Sequence, residues 1–254
     1  MEKWELAARK FIDLCNFKDD IEAVFLTGSY ASGNADEFSD IDLYIVLSDA
    51  VDWRERGNKR VDGFLIEYFA NPMRQIKKYI DDGYPNMDLT EINMILSGII
   101  IYDKNSAAEN AINFCKQKLL SEFPEMDEFN IKTGLYHLWD AHDELSRAYS
   151  DKSPAFVMQY FRFIQTVFEL YSKYVRSPVP GYYKLYKWLT DDGYFNRYGL
   201  AAHNDQDFIK MINQAFECED AAAMFDMSMK IYTYSVTKMG CIDIDNFMLR
   251  GHII

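Results

Sequence analysis

Three carboxylates stand at positions where an apolar strand has no structural use for them. Asp40 and Asp42 flank Ile41 at the head of the run "DIDLYIVLS", and Glu67 interrupts "VDGFLIEYFA". Alternate side chains of an extended strand share a face, so Asp40 and Asp42 point the same way with Cα atoms about 6.6 Å apart. Ile41, Leu43 and Ile45 then point the other way, into a core. Neighbouring carboxylates repel each other, and a divalent cation relieves the conflict. Mg²⁺ takes oxygen ligands, typically one or two carboxylates plus substrate phosphates. If the strand carrying Glu67 lies beside 40–48, all three acids reach one cluster. Three carboxylates around two Mg²⁺ ions support in-line attack on a nucleotide phosphorus.

A seat for phosphates lies just upstream. The run "IEAVFLTG" (21–28) reads as a buried strand ending at Gly28, and Ser29 opens a turn or helix start whose backbone N–H groups can face an anion. Gly28 permits close backbone approach, and Ser29 adds a hydroxyl. No Gly-Lys-Ser/Thr follows these glycines, which excludes a Walker A loop.

These groups need rigid carriers. Around them the pattern predicts an amphipathic helix at the N-terminus, strands over 21–28, 40–48 and 61–70, and a polar loop "NADEFS" between the first two. "DAVDWRERGNKR" reads as a charged loop. A helix follows Pro72, then a short helix and an apolar strand within 89–105. The helix over 106–120 has Ser106 as its expected N-cap, with Glu109 completing a capping box. Beyond "SEFPEMDEF" the strand patterns stop. Leu135, Leu138, Trp139, His142 and Leu145 fall on one helical face. Phe156, Tyr160, Phe163, Val167, Leu170 and Tyr174 mark a second helix, entered through Ser153-Pro154 and stopped by Pro178 and Pro180. Shorter helices are expected over 182–190, 205–217 and 219–239. The expected class is α+β: a mixed-sheet domain with flanking helices over 1–124, then an all-α bundle over 125–254.

The stretch "GSYASGNADEFSDIDLYIV" resembles the signature of the DNA polymerase β-like nucleotidyltransferase superfamily: Gly-Ser, a downstream Gly, then Asp-x-Asp in a strand. The resemblance implies that Gly28 and Ser29 bind the triphosphate of an NTP, that Asp40 and Asp42 ligate Mg²⁺, and that Glu67 completes the triad. It also implies a small mixed sheet with flanking helices. In layout, a catalytic domain followed by a helical one is similar to the nucleotidyltransferases of aminoglycosides and lincosamides. The implied reaction moves NMP from an NTP, with ATP the expected donor, to a small-molecule hydroxyl and releases pyrophosphate. Glu67, Asp140, Asp143 and Glu144 are candidates for its general base. Two other readings stand beside it. One is a protein adenylyltransferase of the antitoxin kind, against which the large helical half argues. The other is a nucleotide-binding sensor without chemistry, against which the intact acidic set argues.

Composition narrows the partners. A formal net charge of −13 over 254 residues, without a basic stripe, speaks against a nucleic-acid partner. It suits a cationic or neutral acceptor. Cys15, Cys115, Cys218 and Cys241 show no metal-ligand spacing and read as reduced thiols. No segment has the apolar run of a membrane helix or a signal peptide, so a cytoplasmic protein is expected. Arg54, Arg56, Lys59 and Arg60 read by default as a solvated loop, with the triphosphate as the alternative partner, and His142 reads as a core histidine.

Overall fold

Strand β2 (Ile41–Leu47) lies at the centre of a five-stranded sheet of order β3-β4-β2-β1-β5. The others are β1 (Ile21–Thr27), β3 (Glu55–Val61), β4 (Phe64–Pro72) and β5 (Ile99–Asp103). β2 and β4 run parallel, and every other neighbouring pair is antiparallel. This is a computed structural model, and it describes residues 2–191 and 202–251. The chain divides into two compact units, the first ending at Phe123 and the second beginning at Pro124.

The apolar run of β2 is legible in its burial. Ile41, Leu43, Ile45 and Leu47 pack with Ala7, Ala8, Phe11 and Ile12 of helix α1 (Lys3–Leu14). The opposite face, through Tyr44 and Val46, packs with Ala23 and Phe25 of β1 and with helices α3 (Met73–Gly83), α4 (Thr90–Leu96) and α5 (Ala107–Lys118). Each fully buried large side chain contributes about 1.5–3 kcal/mol, so the central strand is held rigidly from both sides. A five-residue helix, α2 (Gly28–Ser32), follows β1 and ends at Gly33, whose φ of +73° is the left-handed C-terminal turn that glycine favours.

Three sequence expectations need correction. Residues 55–61 form strand β3 rather than a loop. Asp62 (φ 50°) and Gly63 (φ 92°) make the two-residue turn that joins it to β4, with both dihedrals positive as such hairpins require. Ser106 makes no capping bond and sits at φ 60°; the Asp103 carboxylate accepts from the Ala108 N–H at 3.0 Å instead. The helix expected from Ser153-Pro154 starts at Phe156, because Ser153 Oγ accepts from the Ala155 N–H in a turn ahead of it.

Among its described residues the second unit's α-helices are α6 (Glu128–Ser150), α7 (Phe156–Tyr174), α8 (Leu185–Thr190), α9 (Gln206–Phe216) and α10 (Ala221–Met239), joined by irregular segments and without a strand. Three of these five helices have aspartate N-caps. Asp127, Asp205 and Asp220 each accept from backbone N–H groups of the first turn, worth about 1 kcal/mol apiece. α6 meets α7 at Gly134, where a Cβ would fall 2.3 Å from Leu170 Cδ1. Asp205 ties three helices together, since its carboxylate also accepts from the hydroxyls of Tyr171 on α7 at 2.6 Å and Tyr234 on α10 at 2.9 Å.

Candidate active site

Sheet register assembles the candidate site. Thr27 at the end of β1 pairs with Asp42 of β2, Asp42 pairs with Glu67 of β4, and Glu67 pairs with Asn58 of β3. Cross-strand partners project to the same face, so one row across four strands presents Asp42 beside Glu67. Asp40 lies two residues before Asp42, at the mouth of β2. One carboxylate oxygen from each of Asp40, Asp42 and Glu67 lies within 4.8 Å of the others, and all three side chains are half-buried. Asp40 is positioned by the turn before it. There the Asp36 carboxylate accepts from the Phe38 N–H and the Ser39 hydroxyl at 2.9 Å each, and these bonds, the hydroxyl's above all, hold its pKa below the ordinary value.

Gly28 closes the other side. Its φ is +66°, and a Cβ built there would lie 1.9 Å from Asp42 Oδ2. Only a residue without a side chain permits the β1–α2 backbone to approach the carboxylate that closely. Ser29 is half-buried in the first turn of α2, and its carbonyl accepts from Asn34 N–H at 2.9 Å and from Ser32 Oγ at 3.1 Å, which fixes the turn.

Glu67 has a cation partner from the edge strand. Arg56 Nη2 donates to Glu67 Oε1 at 2.9 Å, and the guanidinium carbon stands 4.5 Å from the Phe69 ring centroid. Sequence reasoning placed this arginine in a solvated loop. The missed signal was the Asp-Gly pair at 62–63, which turns "RERGNKR" into the antiparallel neighbour of β4. On the sheet's other face Tyr68 packs on Phe11 and donates to Glu55 Oε1 at 2.6 Å, and burial with that bond pushes its hydroxyl up to about 12.

The remaining candidates for a general base behave as helix-surface groups. Asp140 and Glu144 are exposed, and Asp143 pairs with Arg147 one turn on at 2.6 Å. His142 packs within the helical unit, 4.3 Å from the Tyr232 ring and edge-on to Phe163, and burial lowers its pKa. It is a core histidine.

Three half-buried carboxylates converging beside a glycine-lined turn suit a hard divalent cation and an anionic ligand: the donors are all oxygen, and their mutual repulsion favours a positive partner. Residues 8–85 match the family described as "Nucleotidyltransferase domain". The chain is 28% identical over 114 residues to a protein of Methanocaldococcus jannaschii named "Putative protein adenylyltransferase", covering 42% of this chain and 77% of that one. The crystal structure of a nucleotidyltransferase-like protein from Exiguobacterium sibiricum aligns over 92% of this chain and 75% of that one, with a TM-score of 0.47 and 9% identity. The first unit thus carries the stretch that matches a nucleotidyltransferase domain.

Proposed function

We propose that the protein transfers NMP from an NTP, with ATP as donor, to the hydroxyl of a small-molecule acceptor and releases pyrophosphate. The observation that carries this reading is the convergence of Asp40, Asp42 and Glu67 within 4.8 Å beside Gly28. In it, Gly28 and Ser29 seat the triphosphate, the backbone of the β1–α2 turn lying against Asp42. Asp40, Asp42 and Glu67 hold divalent cations, two Mg²⁺ ions in the full complex. Bound there, such ions polarise the phosphoryl oxygens and lower the pKa of an attacking hydroxyl. The chain's own task is to hold these ligands in fixed register, which the double-sided packing of β2 supports. Residues 1–124 carry out the transfer and 125–254 select the acceptor. A net charge of −13 favours a cationic acceptor of the aminoglycoside type, with lincosamide-like compounds the next class to try. The four free cysteines suit a reducing compartment, and we place the reaction in the cytoplasm.

A second reading takes a protein hydroxyl as acceptor. It is favoured by the name of the archaeal relative, a protein adenylyltransferase. The two separate by where the label goes. Incubation with Mg²⁺ and α-labelled ATP, with an antibiotic panel or a protein extract, puts label on a small molecule in the first case and on a polypeptide in the second. Label transfer undiminished in Asp42→Asn would contradict both.

A further inference from the structure

We propose that Arg56 is a positioning residue: it holds Glu67 in the nucleotide-free protein and exchanges that carboxylate for the phosphates of the incoming nucleotide. The inference rests on the reading of Asp40, Asp42 and Glu67 as the metal site.

Three observations carry it. First, Arg56 stands on the face of the sheet that bears the acids. Its register partner is Phe69, two residues along β4 from Glu67, while Asn58 is the partner of Glu67 itself. The side chain therefore reaches diagonally across the strands to a carboxylate already placed beside Asp42. Second, the geometry holds the guanidinium without burying it. One nitrogen bonds Glu67 Oε1 at 2.9 Å, the plane rests on Phe69, and the side chains are 69% exposed for Arg56 and 24% for Glu67. An ion pair this open is weak and rearranges readily. Third, the neighbouring arginines are engaged elsewhere: Arg54 donates to the Tyr79 hydroxyl and Arg60 to the Gly63 carbonyl. Arg56 is the arginine of this hairpin that reaches a triad oxygen.

The consequence is a two-way effect. A guanidinium on one ligand oxygen opposes a divalent cation on the same cluster; charges of +1 and +2 roughly 6 Å apart in water repel enough to weaken binding about tenfold. When Arg56 releases Glu67, its fork of donors lies beside the site and suits a phosphate better than any other side chain. The residue thus disfavours metal without nucleotide and favours the two together.

The test uses the full chain and Mn²⁺ as probe. Free Mn²⁺ is titrated by electron paramagnetic resonance without nucleotide, and Mg-ATP affinity is measured separately, for wild type, Arg56→Gln and Arg56→Lys. Arg56→Gln is expected to bind Mn²⁺ about three- to tenfold more tightly and Mg-ATP at least about tenfold more weakly. Arg56→Lys keeps the charge and is expected to bind Mn²⁺ as wild type does, recovering part of the ATP affinity. A purely structural role would weaken both ligands together. Unchanged or weaker Mn²⁺ binding in an Arg56→Gln protein that melts at the wild-type temperature would overturn the proposal. Tighter Mn²⁺ with unchanged ATP affinity would overturn the transfer to phosphate. Mn²⁺ bound no better by wild type than by Asp42→Asn would instead remove the metal reading beneath it.

Discussion

Gly28 shows how a single residue ties sequence to chemistry here. A side chain at φ +66° costs about 1–2 kcal/mol from backbone strain alone, and its Cβ would lie 1.9 Å from Asp42 Oδ2. Gly28→Ala is therefore expected to lower unfolding stability by at least that amount and to reduce turnover about a hundredfold or more by displacing a ligand. Denaturant unfolding and steady-state turnover check the two halves, and a fully active Gly28→Ala would show that the turn does not seat the nucleotide. Glu91 makes a separate point in the core behind the site. Burial raises its pKa, the hydrogen bond from Tyr44 opposing and Asp88 adding to it. A carboxyl raised in the folded state costs nothing below the unfolded value of about 4.3. It takes away stability as pH rises from there through the folded value. Glu91→Gln keeps an acceptor for Tyr44, and the expected outcome is a flatter stability profile above pH 4 with equal or greater stability at pH 7. A profile unchanged in slope would mean that Glu91 is charged without penalty.

At the scale of elements, period-two alternation made the acidic strands legible. Ile41, Leu43 and Ile45 had to face a core, so Asp40 and Asp42 had to share the other face, and an apolar strand with one acid made Glu67 conspicuous. Strand β3 was hidden for a physical reason. An edge strand exposed on most of its length needs no hydrophobic alternation, so "RERGNKR" carries charge and no period; the Asp62-Gly63 turn was the available clue. Helix caps were misread at Ser106 because nothing local shows that Asp103 has the better geometry. The Asp205 tie was out of reach, since its partners Tyr171 and Tyr234 are far apart in sequence and meet it only through packing. Burial works against the Asp205 charge, but the hydrogen bonds from Tyr171, the Phe208 N–H and Tyr234 outweigh it and lower its pKa. Its contribution is therefore present above the unfolded carboxylate value and is lost as pH falls through the folded one. Asp205→Ala should destabilise the helical unit by about 2–3 kcal/mol, through one cap and two hydroxyl bonds to a charged acceptor. Thermal melts at pH 7 should show that loss, with the difference between wild type and variant shrinking as pH falls below the ordinary carboxylate value. A constant difference across that range would place the effect in packing rather than charge.

At the scale of the whole molecule, the first unit supplies a rigid acidic cluster and the second a helical body with its own polar tie and aromatic core. The nucleotidyltransferase domain was legible because its signature is contiguous. The acceptor was not, because no contiguous motif in the chain names one. The net charge of −13 and the absence, among the described residues, of a helix long and apolar enough to cross a membrane leave the class of acceptor to experiment. The most direct measurement is pyrophosphate release from ATP and GTP with Mg²⁺, across aminoglycoside, lincosamide and protein acceptors, for wild type and Asp42→Asn. The account predicts acceptor-dependent release by wild type that chelation of the metal abolishes, and a fall of about a thousandfold in Asp42→Asn, near 4 kcal/mol of transition-state stabilisation. Release that survives both chelation and the loss of Asp42 would contradict it.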